Sequence, residues 1–306
     1  MSALTNSTFI PYNKLWKTFQ GVQQYMSDKT ILIVGGDIRQ IYCGQKLSRF
    51  FNVYYKGFEN ADISEKIPDG TKFGYVILPV PPPTEAGEIS APFGGEKLYT
   101  ADIAPYLADD AVIFTGVNPG KTAEFFPACK VISYTEQEDF ALKNAISTAE
   151  GAIMLALERL SVTMNGLPVL VVGMGRIGTA LVNILKGFGA DITVAVRNGK
   201  GRAKAAISGV RAISTEEITG EHTLVFNTAP NLVFTGEIIE KFSEDTLFVE
   251  LASKPYGFDF KKGEQINRKI ILASGLPAKK APVTAGYDLA DTIISIIMEG
   301  VNAYDR

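Results

Sequence analysis

The stretch VVGMGRIGTALVNILKGFGADITVAVRNGKGR, residues 171–202, sets an apolar β-branched run against a glycine-rich turn, a helical pattern, a second strand and then an arginine. Gly173, Gly175 and Gly178 fall as G-M-G-R-I-G, directly after the strand and directly before the helix. In that context the first glycine permits a tight turn, the second lets a pyrophosphate approach the backbone, and the third lets helix and strand pack closely. Phosphate then sits at the helix N-terminus, where unsatisfied N–H groups and the dipole favour an anion. The stretch predicts a dinucleotide-binding strand–turn–helix unit, with Arg176 and Ile177 in the loop beside the glycines. Arg176 is either a pyrophosphate ligand or an exposed first-turn residue.

The second strand, DITVAV (191–196), is followed by Arg197. An NAD site usually places an acidic residue there to accept from the ribose 2′-hydroxyl, whereas an arginine accommodates a 2′-phosphate. Arg197 and Asn198, backed by Lys200, Arg202 and Lys204, supply charge and donors suited to a dianion. NADP is the expected cofactor. NAD is the alternative, since Asn198 and the small residues nearby also admit it, and a solvated basic loop is the plainer reading of the same residues. Asn227, Thr228, Ala229 and Pro230, at the end of a later strand, are expected to line the ribose and nicotinamide, with simple Asn/Pro turn chemistry as the competing reading.

Working outward, the strand signal recurs before this unit at TILIVGG, NVYYKGF (52–58), FGYVILPV (73–80), AVIFTGV (111–117) and KVISYT (130–135). After it come TLVFNTA (223–229), TLFVELA (246–252) and KIILAS (269–274). Strands alternating with helical stretches imply parallel sheets with helices on both faces. The expected fold is α/β, with two Rossmann-like doubly wound parallel-sheet domains and a cleft between them. Residues 1–141, joined by a terminal helix at 287–306, would form the substrate-side domain, and 142–286 the NAD(P)-binding domain. A long helical pattern at 136–162, interrupted near STAEG, would link them, and a short amphipathic helix is expected around Trp16. The Pro- and Gly-rich stretch 79–97 follows a strand end and reads as a surface excursion or as part of a ligand-site rim.

Composition narrows the function classes. Hydrophobic residues make up 46% and charged residues 21% of the 306, as in ordinary globular proteins, and no apolar run approaches the roughly 20 residues of a membrane span. With no secretory signal pattern at the N-terminus, a cytoplasmic location is expected. The net charge of −3 and the lack of a basic, aromatic-interleaved stripe argue against nucleic-acid binding. Two cysteines, Cys43 and Cys129, are too few for a disulfide framework and read as core thiols, and no Cys/His spacing suggests a metal. The lone histidine, His222, reads as a surface-loop residue rather than a base.

Hydride transfer would need substrate charge recognition and a proton relay. Asp37 and Glu150 are the candidate acid/base groups, although Asp37 reads equally as a helix N-cap. Arg39, Gln40, Thr148, Lys279, Lys280 and Thr284 are the candidate substrate-binding residues, with Arg39 the best bidentate carboxylate ligand.

Several segments together resemble one family. ILIVGGDIRQ (31–40), GYVILPVPPP (74–83), AISTAEGAIMLAL (145–157), the 171–198 unit, NTAP (227–230), ELASKPYGFDF (250–260) and ASGLPAKKAPVTAG (273–286) are similar to the A subunits of bacterial dipicolinate synthase, an enzyme of endospore formation. The resemblance implies an NAD(P)-dependent oxidoreductase acting with a flavoprotein-like partner, the B subunit of dipicolinate synthase. Its substrate would be a small cyclic dicarboxylate, 4-hydroxy-tetrahydrodipicolinate, converted to dipicolinate, with Arg39 and Lys279–Lys280 facing its carboxylates. Ser147, Ala278 and Val283 depart from the family pattern, which favours proline, glycine and lysine there. A homo-oligomer is expected. A non-catalytic NADP-binding subunit that organises the complex, and a two-domain dehydrogenase of the alanine dehydrogenase or adenosylhomocysteinase type, are the alternatives.

Overall fold

The computed structural model describes residues 29–63 and 66–304, and the helix expected around Trp16 lies outside the described residues. The chain divides into two compact units, one comprising residues up to Gln137 and from Leu289 onward, the other Glu138–Asp288.

The first unit carries β1 (Thr30–Val34), β2 (Asn52–Lys56), β3 (Phe73–Ile77), a short antiparallel pair β4 (Glu88–Ile89) and β5 (Leu98–Tyr99), then β6 (Leu107–Thr115) and β7 (Lys130–Ser133). Its main sheet runs β2-β1-β3-β6-β7 with every neighbour parallel. That is the flavodoxin-like order, whose switch point lies between β1 and β3. Helix α1 (Ile38–Leu47) returns from β1 to β2, and α2 (Pro119–Phe125) from β6 to β7. Ile31, Leu32, Ile33 and Val34 are all completely buried, because both sheet faces are covered; this is why β1 reads as a continuous apolar run rather than an alternation. The Pro/Gly-rich stretch is more than an excursion. It contains β4, and the Ser90 carbonyl accepts the N–H of Gly36 at 2.7 Å, so the stretch folds over the turn that follows β1.

The second unit contains β8 (Pro168–Val172), β9 (Asp191–Ala195), β10 (Arg211–Ile213), β11 (Leu224–Asn227), β12 (Leu247–Glu250) and β13 (Ile270–Leu272). They form one parallel sheet in the order β10-β9-β8-β11-β12-β13. The strand order reverses between β8 and β11, as in dinucleotide-binding folds. Alternate residues divide between the faces: Val169, Val171 and Phe226 join one apolar cluster, while Leu170, Val172 and Phe248 join the other. Its helices are α3 (Glu138–Leu157), α4 (Arg176–Gly187), α5 (Gly199–Ile207), α6 (Gly236–Ile239), α7 (Phe260–Gln265) and α8 (Leu276–Lys280). The last helix, α9 (Pro282–Tyr304), starts in this unit and continues into the first, where Asp291 pairs with Lys46 at 2.6 Å. Among the described residues no helix is long and apolar enough to cross a membrane.

Three expectations are corrected. The interruption near residues 147–151 does not occur, and α3 is continuous. Thr148 satisfies its hydroxyl within the helix by donating to the Asn144 carbonyl at 2.7 Å. His222 is buried rather than at the surface, just before β11, where its carbonyl accepts the buried Thr246 hydroxyl at 3.2 Å and draws the residue into the fold. Cys43 is a core thiol, held well above the usual thiol range by burial, but Cys129 is only half-buried.

Candidate functional site

Each unit places a three-residue turn between a buried strand and a helix: residues 35–37 between β1 and α1, and 173–175 between β8 and α4. The two turns differ at the helix end. In the first unit the Asp37 carboxylate caps α1, accepting the Arg39 N–H at 3.0 Å and the Arg39 Nε and Nη2 at 2.9 and 2.7 Å. Burial works against this carboxylate, but the hydrogen bonds and charge of Arg39 outweigh it and hold the Asp37 carboxyl below the usual range. The place where a helix N-terminus would receive a bound anion is thus filled by the chain itself.

In the second unit Gly175 caps α4 and offers no side-chain acceptor to the first-turn N–H groups. A Cβ on Gly175 would meet nothing within 4 Å, and the residue's φ of −76° suits any amino acid. Protein packing therefore does not require glycine there, whereas close approach of a phosphate to the backbone does. Gly178 answers to a different constraint, since a Cβ on it would stand 2.0 Å from the Gly173 carbonyl oxygen. The second turn fits a dinucleotide; the first, with a carboxylate in the same place, does not.

A cavity of about 280 Å³ opens at the carboxyl ends of β8 and β9. Gly173, Gly175, Arg197, Asn198 and Ala229 line it, joined by Lys200 and Lys204 of α5, and no carboxylate is among its lining residues. Asn198 caps α5, its Oδ1 accepting the Gly201 N–H at 2.9 Å. Lys204 Nζ donates to the Met174 carbonyl at 3.1 Å and so ties α5 to the glycine turn. Arg197 and Lys200 are exposed, and among the described residues neither side chain has a hydrogen-bond or ion-pair partner. Arg202 instead acts on Glu216 and Glu217. Thr215 and Val233 also line the cavity and carry no sequence signal: Thr215 follows β10, whose three residues are too few for a periodic pattern, and Val233 lies in an irregular loop.

Other expected cofactor residues lie around the cavity rather than in its lining. Arg176 is engaged by Glu138 at the start of α3: its Nε donates to both carboxylate oxygens, at 3.1 and 3.0 Å, and its Nη2 to Oε2. That hydrogen bonding lowers the Glu138 carboxyl below its ordinary value. Ile177 packs half-buried against one of the unit's cores, and Pro230 is exposed. Thr228 Oγ1 donates to the Val172 carbonyl at 2.8 Å, directly beside Gly173. Asn227 is fully buried: its Nδ2 donates to Glu250 Oε1 at 2.7 Å and to the Ala229 carbonyl at 3.0 Å, while its Oδ1 accepts the Ala229 N–H at 3.3 Å. Glu250, absent from the expected site, is also fully buried. Burial raises its carboxyl above the ordinary value, opposed by the N–H groups of Gly257, Asn227, Ala252 and Phe258.

Of the expected substrate residues, Arg39 keeps Nη1 outside its contacts with Asp37, and Gln40 is buried with neither amide atom hydrogen-bonded. In the second unit Thr148, Glu150, Lys279, Lys280 and Thr284 do not line the dinucleotide cavity. Glu150 and Thr284 are exposed on their helices. Lys279 Nζ donates to the Ser274 carbonyl at 2.8 Å, and Lys280 pairs with Glu158 at 3.4 Å.

Comparison with known proteins puts an NAD-binding domain in the second unit. Residues 30–134 match the family described as the N-terminal domain of the dipicolinate synthase A subunit, and residues 143–247 match the NAD-binding domain of D-isomer specific 2-hydroxyacid dehydrogenases. Over 286 residues the chain is 30% identical to the dipicolinate synthase A subunit of Bacillus subtilis (strain 168), covering 88% of this chain and 96% of that protein. The crystal structure of the dipicolinate synthase A subunit from Bacillus halodurans superposes with a TM-score of 0.81 at 29% identity, covering 89% of this chain and 98% of the other. A transhydrogenase from Sinorhizobium meliloti, at 14% identity and a TM-score of 0.65 over 89% of this chain and 94% of its own, shares the fold alone.

Proposed function

The chain belongs to the family of dipicolinate synthase A subunits, and from that premise we propose that it uses NADP, together with a flavoprotein-like B subunit, to convert 4-hydroxy-tetrahydrodipicolinate to dipicolinate. It is an NAD(P)-dependent oxidoreductase. The preference for NADP rests on one observation: the cavity beyond β9 presents Arg197, Lys200 and Lys204 and no carboxylate. A 2′-phosphate would find donors and charge there, and a plain ribose would lack its usual acidic partner.

When bound, the nicotinamide supplies a hydride acceptor. The substrate loses water, then a hydride and a proton, and the ring becomes aromatic. The chain's own residues hold and orient. Arg39, kept in place by Asp37, offers Nη1 to a substrate carboxylate, and its charge stays fixed because the neighbouring carboxylate pushes the guanidinium above its usual range despite burial. Asp37, with its lowered pKa, suits the role of a permanent anion that orients Arg39 better than that of a proton donor.

Titration of the wild type and Arg197→Ala with NADP and with NAD tests the reading. Loss of a charge-assisted contact worth about 1.5–3 kcal/mol should weaken NADP binding by roughly 10- to 150-fold and leave NAD binding nearly unchanged. Equal affinity of the wild type for the two cofactors would refute the 2′-phosphate assignment.

A further inference from the structure

We infer that Glu250 is a positioning residue of the cofactor site: its buried carboxylate sets the orientation of the Asn227 amide and, through Asn227, fixes the Ala229 segment of the cavity wall. Glu250 closes β12, and Asn227 stands opposite it at the end of the neighbouring β11. Oε1 of Glu250 accepts Asn227 Nδ2 at 2.7 Å and the Ala252 N–H at 2.8 Å, and Oε2 accepts the Gly257 N–H at 2.6 Å. Every one of these partners is a donor. Only a side chain with two acceptor oxygens satisfies them all, and a glutamine must turn its NH₂ group against at least one N–H.

The consequence passes to Asn227. With Nδ2 committed to Glu250, its amide has a single orientation, which leaves Oδ1 facing the Ala229 N–H at 3.3 Å while Nδ2 also reaches the Ala229 carbonyl at 3.0 Å. One side chain therefore holds Ala229 at both of its backbone polar groups, and Ala229 lines the cavity. Thr228, between them, hydrogen-bonds Val172 immediately ahead of the glycine turn. From the other side the loop after β12 presses on the same amide, since a Cβ on Gly257 would fall 2.2 Å from Asn227 Nδ2. Glu250 enters no ion pair among the described residues, so N–H donors alone face its oxygens. Burying a carboxylate in this way is a poor route to stability, where apolar packing would serve better, but a good route to one defined arrangement of two loops.

The inference rests on the nicotinamide cofactor occupying this cavity, and the test keeps the two separable. Cofactor affinity of the full chain is measured by titration with the reduced cofactor, followed by its own fluorescence, alongside a thermal melt. Glu250→Gln is expected to bind roughly tenfold more weakly, as for one lost hydrogen bond to a charged group. Glu250→Asp, which keeps both acceptor oxygens, should recover part of that loss. Asn227→Ser, which removes the relay and leaves the backbone donors of Glu250 in place, should weaken binding in the same sense, and it carries the test if Glu250→Gln does not fold. Wild-type affinity in a folded Glu250→Gln or Asn227→Ser chain would overturn the inference alone. A wild type that binds neither NAD nor NADP would overturn the cavity assignment and this inference with it.

Discussion

Replacing Gly175 with alanine should separate folding from cofactor binding. The added Cβ meets no protein atom within 4 Å, and the backbone at φ −76° and ψ −163° accepts alanine without strain. Alanine is a poorer helix N-cap than glycine by up to about 1 kcal/mol, and the stiffer unfolded chain returns about 0.4–1 kcal/mol. The net effect on stability should stay within about 1 kcal/mol, which for a chain of this size is a melting shift of about 4 °C or less. Cofactor binding should respond very differently. A methyl carbon keeps neighbours at about 3.5–4.0 Å, whereas an N–H···O contact to phosphate needs about 2.7–3.2 Å, so the methyl displaces the pyrophosphate from the N–H groups of α4. Each charge-assisted bond lost is worth about 1.5–3 kcal/mol, or roughly 10- to 150-fold in Kd. Differential scanning fluorimetry and a fluorescence titration with the reduced cofactor read the two quantities. Gly178→Ala provides the contrast, because its Cβ would collide with the Gly173 carbonyl at 2.0 Å and must lower the melting temperature. A Gly175→Ala chain that binds cofactor as tightly as the wild type would refute the placement of phosphate at this turn.

His222 is the chain's one histidine, so its imidazole protons can be followed by NMR without assignment. Burial lowers its pKa, with Arg211 adding to the effect, so its stabilising contribution is full above the unfolded value of about 6.5 and is lost as pH falls toward the folded value; a midpoint at or above about 6.5 would contradict this. The Asp37–Arg39 pair should show an acid dependence: with the Asp37 carboxyl lowered in the fold, its contribution is present above about pH 3.9 and disappears as pH falls through the folded pKa. Asp37→Asn should therefore cost stability near neutrality, held to about 1 kcal/mol or less because water reaches the pair, and the difference from wild type should vanish in acid; urea melts at a series of pH values that show a constant difference would count against it.

Local sequence was enough to reveal the longer parallel strands and the dinucleotide turn, but not the short β4, β5 and β10, which hold too few residues for a pattern. β8 and β1 are apolar at nearly every position because parallel strands are covered on both faces, and the glycine spacing at 173, 175 and 178 meets demands that arise within one strand–turn–helix unit. The place of Arg197 in the cavity lining was legible for the same reason, since it directly follows the strand after the glycine turn. Side-chain partnerships were not legible, because they are made by chain segments that only the fold brings together. Arg176, a pyrophosphate candidate by position, meets Glu138 from 38 residues away. Asn227, a candidate for the cavity wall, is drawn inward by Glu250, 23 residues on, because β11 and β12 are neighbours and end in register. Asp37 and Gly175 stand at equivalent places in two similar turns, and both strand ends look alike as sequence. Residue type already separates them, aspartate against glycine; what only the fold decided is that the Asp37 carboxylate turns back onto its own helix N-terminus and holds Arg39 there, because that requires the cap backbone and the Arg39 side chain to meet in space.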